Sequence, residues 1–494
     1  MSYNNTRLTE ECPLTKDESY KLSFYCGDGL KFIISCFAIL TIAITTTLIL
    51  QLLYTDNTPQ GKTGIHGAVA SDYTNCSQIG TKILWKGGNA VDAAIAATIC
   101  MTVVAPHKTG LGGGGSIMIY NHKERTVPII IDFANNTIKG AFAKSGIRIP
   151  AVLKGLQHAH NLKGKLPWKE VVEPSVVLAK EGFVVSKDFA SELSKNNEAL
   201  YGHLNAGDVL KLPKLADTLH AIAYYGADAL YNGTLSDQIL SSEVQSLKHL
   251  QQLANYKPEL YRTKQSTFYN HTVYYPAHAL SVKAVIAALD ELNISAEYAS
   301  SIQTQVLVAK ALIHLTTIPP LSIRNAEEER YAGVVAMDWE DTYVCILTGF
   351  SAPMGLGYIT EAGFLLDKTD SNNNLITFNP IIFHNKNVTC GLRGIFGTDD
   401  AFVVGQLLYN IIVRGLNVSS AIEYPRYYLL SDGFAIETDE KHTVDNFIRN
   451  ELNSTLMSHT NANLILKSVN AILKRRDLMA SHSDSRGGGL SSRF

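Results

Sequence analysis

The stretch of the chain richest in residues that could bind a ligand or react lies between positions 106 and 115. It reads Pro106-His107-Lys108-Thr109-Gly110-Leu111 and continues with Gly112 to Gly115. A glycine-rich loop can bind phosphate, but that chemistry requires Gly-Lys-Ser/Thr at the start of a helix, whereas Ser116–Tyr120 predicts a strand. The glycines are therefore interpreted as positions of positive φ or of close approach to another element. Since His107 has no suitably spaced partner for a metal, we interpret it as a loop histidine and expect no metal or cofactor.

Charge and cysteine content exclude several other chemistries. The 494 residues include 43 basic and 45 acidic side chains, a net charge of −2, and no basic block, which gives no reason to propose nucleic-acid binding. Seven cysteines are too few for a disulfide scaffold and form no CxxC pair of the zinc-site kind. With 46% apolar and 18% charged residues, the chain is neither disordered nor collagen-like and is long enough for a large core.

The segments around the glycine-rich loop predict a layered α/β fold. Residues 72–104 read as two helices separated by Gly87-Gly88, with Asn89 as N-cap of a second helix that is apolar on most faces and therefore buried. Tyr331–Met337 and Thr342–Thr348 predict a β-hairpin. Further helices are predicted in Lys154–His160, Glu173–Glu181, Ser191–Leu200, residues 281–312 and Asp400–Arg414. Helices before and after β-hairpin blocks indicate sheets packed between helical layers.

Phe32–Tyr54, 23 residues without a charge, predicts a transmembrane helix, because it spans roughly 30 Å at 1.5 Å per residue. A cleavable signal peptide fits less well, since 31 mostly polar residues precede the run and no small-residue cleavage site follows. A buried core helix is seldom this long and apolar on all faces. The flanking lysines are Lys16, Lys21 and Lys31 before the run and Lys62 after it. The positive-inside rule then predicts a cytoplasmic tail at residues 1–31, a signal anchor at 32–54 and an ectodomain at 55–494.

Two further features agree with this type II orientation. Asn-x-Ser/Thr sequons, each a candidate glycosylation site, recur beyond the predicted span. They are Asn75, Asn135, Asn232, Asn270, Asn293, Asn387, Asn417 and Asn453. The cysteines also divide: three lie in or before the span, and the other four lie in the oxidising compartment, where their even number permits two disulfides. We therefore expect a plasma-membrane or endomembrane protein whose larger part is extracellular or luminal.

Several motifs follow one another along the ectodomain. They are Gly87-Gly88-Asn89-Ala90-Val91-Asp92-Ala93-Ala94, Ala105-Pro106-His107, Gly110–Gly115, Gly164-Lys165-Leu166-Pro167-Trp168, Glu173-Pro174-Ser175, Glu423-Tyr424-Pro425-Arg426 and Ser483-Asp484-Ser485-Arg486. In these motifs the chain resembles the γ-glutamyltranspeptidase (glutathione hydrolase) family, and most of all its glutathione hydrolase 7 subgroup, from about residue 63 to 489.

The resemblance implies an αββα sandwich of the N-terminal-nucleophile hydrolase type. Residues 63–328 would correspond to the family's large subunit and residues 329–494 to its small subunit. It also implies a disulfide between Cys76 and Cys100, which leaves Cys345 and Cys390 as the other candidate pair.

Members of the family cut themselves and so free a threonine whose hydroxyl is the nucleophile and whose new α-amine is the base. The γ-glutamyl group then passes to water or to another amine. An arginine and carboxylates hold the substrate's α-carboxylate and α-amine, and two glycine N–H groups stabilise the oxyanion.

The chain departs from this pattern at the positions that the chemistry requires. With Val334-Val335-Ala336 as the reference, the expected threonine falls on Glu329, and residues 325–331 contain no Thr, Ser or Cys. The expected arginine falls on Ala134. Asn372 stands where the family has an acid, and Ile381-Ile382 stands where it has a pair of serines. Of the family's glycine pair only Gly397 remains, followed by Thr398. Some tens of residues that precede the family's cleavage point are also missing, between about 315 and 327.

Two functions remain open. The first is a catalytically inactive homologue that binds or scaffolds an unknown protein partner and keeps at most a degraded pocket for glutathione or another γ-glutamyl compound. The second is an active glutathione hydrolase or γ-glutamyl transferase of extracellular glutathione metabolism, which would need an unorthodox nucleophile such as Thr348 or Thr398. A skipped exon would remove the threonine but would not change Ala134 or Asn372, so the sequence favours the inactive homologue.

Overall fold

The computed structural model forms two compact units, Met1–Gly64 and Ile65–Phe494. It describes residues 22–54, 66–134, 146–195, 198–233, 235–239, 247–316, 331–368, 377–430, 433–438, 451–452, 455–458 and 467–494.

The described part of the first unit is one helix, α1 (Leu22–Tyr54). Its segment Lys31–Ile49 is long and apolar enough to cross a membrane, with a mean hydropathy of 2.4. Threonine hydroxyls between residues 41 and 47 donate to backbone carbonyls three or four residues earlier, so they are satisfied inside the helix. An apolar helix over the predicted span is thereby confirmed.

Two antiparallel sheets form the centre of the second unit. The first has the strand order β18-β1-β9-β10-β2-β3-β6 and the second the order β17-β16-β12-β11-β8-β7. Strands of the first sheet are β1 (Ala68–Ser71), β2 (Gly114–Asn121), β3 (Ile129–Asp132), β6 (Glu259–Arg262), β9 (Tyr331–Met337), β10 (Thr342–Gly349) and β18 (Ser492–Arg493). Strands of the second are β7 (Lys264–Phe268), β8 (His271–Tyr275), β11 (Asn379–Asn385), β12 (Arg393–Thr398), β16 (Asn470–Arg475) and β17 (Leu478–Ser483).

Helices cover the outer faces of the two sheets. They are α2 (Thr74–Trp85), α3 (Ala90–Val104), α4 (Val152–Lys163), α5 (Trp168–Glu181), α6 (Lys187–Ser194), α7 (Glu198–Tyr201), α8 (Pro213–Tyr225), α9 (Asp228–Tyr231), α10 (Leu247–Asn255), α11 (Leu280–Glu291), α12 (Ile302–Thr316), α13 (Ala401–Leu408) and α14 (Val418–Glu423). A 3₁₀ turn lies at Ser236–Gln238. Two small sheets are also present, one of β4 (Phe183–Val184) and β5 (Val209–Leu210), the other of β13 (Tyr427–Leu430), β14 (Gly433–Thr438) and β15 (Thr455–Ser458).

The alternation of residues in β9 shows how the layers are held together. Ala332, Val334 and Ala336 pack into the core shared with the helices of the first sheet. Val335 and Met337 point the other way, into the core between the two sheets. Every residue of the strand is buried, as expected of a central strand covered on both faces. The predicted αββα sandwich is confirmed, and so is the hairpin of β9 and β10.

The Gly-Gly-Asn-Ala motif begins the central helix of the first helical layer. Asn89 caps α3: its side chain accepts from the amides of Val91 and Asp92, and the Asp92 carboxylate accepts from the Asn89 amide in return. Asp92, fully buried, also accepts from the amides of Lys165 and Leu166, so it joins α3 to the loop that follows α4. All of α3 is buried, as its composition predicts.

Two predicted helices differ in detail. The segment predicted as one helix at Ser191–Leu200 is divided between α6 and α7. In the segment predicted at Asp400–Arg414, Asp400 is the N-cap of α13, and a π-helical turn at Tyr409–Val413 follows.

One of the two candidate disulfides is present. Cys76 of α2 and Cys100 of α3 are bonded, with their Cα atoms 5.4 Å apart. Cys345 and Cys390 are both free thiols, so that pair does not form. Cys345 is buried in the middle of β10, whereas Cys390 is exposed in the loop after β11. The even number of cysteines permitted this second disulfide, but the fold keeps the two residues apart.

Replacing Cys76 and Cys100 together by alanine is expected to lower the free energy of unfolding by about 3 kcal/mol, because the bond closes a loop with a sequence separation of 24. Urea denaturation followed by tryptophan fluorescence measures the change. Cys390→Ala, at an exposed free thiol, is the matched control and should leave the midpoint unchanged. A double variant as stable as the parent would contradict the expectation.

Candidate functional site

Four strand ends of the first sheet meet at the edge where the family's chemistry would take place. The register pairs Ser71 at the end of β1 with Val334, and Gly349 at the end of β10 with both Tyr331 and Gly114. Tyr331 begins β9, two residues after the predicted nucleophile position. Glu329 itself lies outside the described residues, and so does Asn372.

A buried carboxylate organises this edge. Asp72, directly after β1, accepts from the Gly333 amide at 3.3 Å, from the Ser468 hydroxyl at 2.9 Å and from the Asn470 side-chain amide at 2.6 Å. The Tyr331 hydroxyl donates to the Ser468 carbonyl. These contacts fix the start of β9 against β1 and the strand that begins at Asn470. The first residues of β9 are thus held by packing and hydrogen bonds, and Tyr331 is buried.

Ala134 lies in a closed, mostly apolar setting. It is 6% exposed and belongs to the inter-sheet core together with Tyr331, Leu347 and Ile382. Its amide donates to Asp132 at 2.9 Å. The predicted replacement of a substrate-binding arginine therefore falls on a small buried residue at the border of the apolar inter-sheet core, next to the Asp132 carboxylate.

Sequence reasoning did not single out an arginine that does lie beside Ala134. The buried guanidinium of Arg148 donates to the Ala134 carbonyl at 3.2 Å and to the Lys368 carbonyl, and it lies 3.6 Å from the Asp367 carboxylate. Burial raises the pKa of Asp367, and hydrogen bonds from Ser351 together with the charge of Arg148 offset part of that rise. The guanidinium is engaged by the protein's own groups, and nothing in the sequence spacing reveals the contact.

Gly397 and Thr398 are both placed by packing. A Cβ on Gly397 would lie 2.6 Å from the Cys345 sulfur, so the glycine lets the two sheets approach. Thr398 is fully buried, and its hydroxyl accepts from the Asp400 amide at 3.2 Å in the turn that enters α13. Ile381 and Ile382, at the position of the expected serine pair, are buried on opposite faces of β11.

Thr348 is the other hydroxyl considered as an unorthodox nucleophile. It is fully buried near the end of β10 and accepts a hydrogen bond of 2.8 Å from the hydroxyl of Thr109 in the glycine-rich loop. No hydrogen bond to a titratable base is found for Thr348 or Thr398 among the described residues. Their contacts are those of packing and turn residues.

A cleft of about 650 Å³ opens next to Asp72. Its walls include Tyr73, Phe183, Ser186, Asp188 and Arg486. The Asp188 carboxylate lies 3.1 Å from the Lys108 ammonium and 3.1 Å from Nε2 of His107, and accepts from the Tyr73 hydroxyl at 3.0 Å. Burial opposes ionisation of Asp188, but Lys108 and His107 outweigh it and hold the pKa of the carboxyl well below its usual range. The cleft can accept a small molecule beside an ion-paired carboxylate.

His107 thus has a carboxylate partner, and its ring stacks on Phe189 with the ring centres 5.2 Å apart. The partner, Asp188, lies 81 residues further along the chain, which explains why local spacing could not predict it.

The two C-terminal motifs form one buried ionic network. Arg426 donates to Asp484 at 2.5 Å, and Arg486 donates to Asp484 at 2.9 Å and to both oxygens of Glu437 at 2.6 Å. Burial opposes ionisation of Glu423, but hydrogen bonds from His482 and Ser485 outweigh it and lower the pKa of Glu423 to about 2. The two motifs thus pair with each other between α14 and the end of β17.

The predicted glycosylation sites within the described residues are all exposed. They are Asn75, Asn232, Asn270, Asn293, Asn387 and Asn417. Asn135 and Asn453 lie outside the described residues.

Comparisons with known proteins agree with this architecture. Residues 76–317 match the family model described as Gamma-glutamyltranspeptidase. Glutathione hydrolase 2 of Arabidopsis thaliana is 36% identical over 226 residues, which cover 41% of this chain and 39% of the relative. Glutathione hydrolase 7 of Bos taurus is 30% identical over 293 residues, 54% of this chain and 43% of the relative. The chain matches less than half the length of these relatives.

Among solved structures, the cephalosporin acylase from Bacillus halodurans superposes with a TM-score of 0.70 at 17% identity, covering 89% of this chain and 98% of the acylase. This likeness shows a shared fold, the sandwich of N-terminal-nucleophile hydrolases.

Proposed function

We propose that the chain, whose residues 76–317 match the Gamma-glutamyltranspeptidase family model, is a γ-glutamyltranspeptidase-like type II membrane glycoprotein that no longer transfers γ-glutamyl groups. It acts by binding or scaffolding a protein partner at the plasma membrane or an endomembrane. The similarity to glutathione hydrolase 7 of Bos taurus supports a relation to that subgroup.

The observation that carries this proposal is the surroundings of Ala134. A γ-glutamyl substrate brings an α-carboxylate and an α-amine, and each needs a charged or polar partner when it leaves water. Ala134 supplies no such partner, and it belongs to the buried inter-sheet core together with Tyr331, Leu347 and Ile382. The neighbouring Arg148 is already engaged by two carbonyls and Asp367. The site therefore lacks the means to hold the substrate as well as the means to attack it.

The nucleophile argument is independent of substrate binding. Residues 325–331 contain no hydroxyl or thiol nucleophile of the family's kind, and a carboxylate such as Glu329 cannot undergo the acyl shift that precedes self-cleavage. Thr348 and Thr398 are fully buried and have packing or turn roles. Several separate losses support an inactive homologue better than a single altered residue would.

The membrane anchor and the glycans are supported by features outside the site. Lys31–Ile49 has the length and apolarity of a membrane span, with polar residues before it. The described sequons are exposed on the second unit, as glycan attachment requires.

An active glutathione hydrolase of extracellular glutathione metabolism is the second candidate. The family and the cleft beside Asp72 favour it, since the cleft leaves room for a small γ-glutamyl compound. Such an enzyme would have to use a nucleophile that the family does not use.

We expect the mature protein to be a single chain. After enzymatic deglycosylation, a denaturing gel should show one band near the 54.0 kDa of the full sequence, because no side chain at residues 328–329 can attack the preceding carbonyl. The same gel without deglycosylation should show a slower band if the sequons are used. Two bands corresponding to residues 1–328 and 329–494 would contradict the proposal and favour the active enzyme.

A further inference from the structure

One of the predicted glycosylation sites lies in the wall of the cleft beside Asp72. Asn75, the second residue of α2, is exposed and lines the cleft together with Tyr73 and Thr74. It begins the sequon that continues with Cys76 and Ser77. None of the other sequons in the described residues belongs to the walls of this cleft. A glycan on Asn75 would therefore start at the cleft itself.

The attachment point is held firmly in place. Cys76, the next residue, is fully buried and is bonded to Cys100 of α3. Ser77 is also fully buried, and its hydroxyl forms a hydrogen bond of 2.8 Å with the hydroxyl of Ser71 at the end of β1. Because these contacts join the first turn of α2 to α3 and to the sheet, any group attached to Asn75 stays beside the cleft.

The walls of the cleft carry groups that suit a carbohydrate. Val104 and Phe183 supply apolar surface, and Ser186 and Ser485 supply hydroxyl groups. The ion-paired carboxylate of Asp188 is 29% exposed and can accept strong hydrogen bonds from sugar hydroxyls. Apolar side chains with a few polar groups among them are the usual lining of a site for a small molecule. The cleft therefore offers both kinds of contact to the first sugars of a glycan.

The size of the cleft and the covalent link both favour such an occupant. A volume of about 650 Å³ lies within the range of about 300–1,000 Å³ that is typical of pockets for small molecules. A short flexible tether gives the attached group an effective concentration of about a millimolar beside its site. Contacts that are too weak to hold a free sugar from solution can therefore hold one that is linked to the wall.

We propose that the N-linked glycan of Asn75 folds over the cleft and occupies it, with its first sugars against Phe183, Ser186 and Asp188. The occupant is a carbohydrate that the chain itself carries, and it keeps small molecules in solution out of the cleft. This inference rests on the proposed glycosylation of the second unit. It goes beyond that modification by assigning one glycan a binding site on the protein.

Chemical labelling of Lys187 tests the proposal with the full-length protein, produced in cells that attach N-glycans. Lys187 is exposed and lines the cleft, so a glycan folded over the cleft slows its reaction with an amine-reactive ester. Asn75→Gln should raise the rate of labelling at Lys187 several-fold, as measured by peptide mass spectrometry. Lys264, exposed on β7 and not part of the cleft walls, should react equally fast in both proteins. Asn387→Gln, which removes an exposed sequon away from the cleft, is the matched control and should leave the labelling of Lys187 unchanged.

Enzymatic release of the glycans from the unmodified protein gives a second measurement that needs no variant. Peptide N-glycosidase should remove the glycan of Asn75 from the native protein several-fold more slowly than the glycan of Asn387. The difference should disappear after denaturation, because unfolding destroys the cleft. Equal rates of release from the native protein would overturn the inference.

The possible results separate the inference from the proposed glycosylation. Peptide mapping that finds no glycan on any sequon contradicts the glycosylation and the inference with it. An unmodified Asn75 on a protein whose other sequons carry glycans overturns the inference alone. A glycan on Asn75 with equal labelling of Lys187 in the parent and the Asn75→Gln variant also overturns the inference alone, as does equally faster labelling in the Asn387→Gln control.

Discussion

Purified full-length protein is expected to release no γ-glutamyl product from glutathione or from a chromogenic γ-glutamyl amide above the uncatalysed background. Removing the nucleophile alone from a hydrolase that forms an acyl-enzyme costs roughly 10⁶-fold in kcat. Here the attacking hydroxyl, the α-amine base that self-cleavage would free and the arginine for the substrate carboxylate are lost together. An active family member assayed at equal protein concentration provides the positive control.

Restoring single residues should not restore turnover. Glu329→Thr supplies a hydroxyl but leaves Ala134 and its apolar neighbours unchanged. Ala134→Arg would bury a second guanidinium next to Arg148, and an uncompensated buried charge costs about 3–5 kcal/mol, so this variant should be destabilised before it binds substrate. Clear turnover by the unmodified protein that Thr348→Val or Thr398→Val abolishes would contradict the inactive assignment.

Asp484→Ala is expected to cause the largest loss of stability among single substitutions in the second unit. Its carboxylate accepts hydrogen bonds from Arg426, from Arg486 and from the Val469 amide. The side chains of Asp484 and of both arginines are buried. Removing the carboxylate leaves two guanidinium groups close together, with Glu437 and, 3.8 Å from Arg486, Glu423 as the remaining carboxylates. The loss should lower the free energy of unfolding by about 3–5 kcal/mol. The midpoint of urea denaturation measures the loss.

A matched control distinguishes this effect from a general effect of removing an acid. Asp477→Ala, at an exposed position in the β16–β17 turn, should change the free energy of unfolding by no more than about 0.5 kcal/mol. Asp484→Asn keeps the shape of the side chain and some of its hydrogen bonds. Its loss of free energy of unfolding should therefore lie between those of Asp484→Ala and Asp477→Ala. Equal stability of the Asp484→Ala and Asp477→Ala variants would show that the network contributes little.

Local patterns predicted the elements that depend on local physics. The hairpin of β9 and β10 follows from two β-rich runs around a polar turn, and α3 follows from Asn89 before an apolar run. The apolar helix α1 follows from a charge-free run of sufficient length. The Cys76–Cys100 bond came from family resemblance, since counting cysteines also admitted the Cys345–Cys390 pair that does not form.

The contacts that define the candidate site depend on distant parts of the chain. Asp72 and Asn470 are 398 residues apart and meet only when β16 of the second sheet packs against β1 and β9 of the first. Arg148 contacts the backbone carbonyl of Ala134 and the buried carboxylate of Asp367. No sequence pattern predicts either contact. Sequence reasoning therefore predicts which chemical groups are missing, whereas the side chains that lie around Ala134 and Asp72 are known only from the fold.

Intact mass spectrometry of the deglycosylated full-length protein, before and after incubation with a γ-glutamyl amide, tests the central claim most directly. The claim is that neither self-cleavage nor a γ-glutamyl-enzyme occurs. The account predicts one species with the mass of the uncut chain and no change of mass on incubation. Two fragments whose masses add up to the whole chain, or a mass increase equal to one γ-glutamyl group that disappears on further incubation in water, would contradict it.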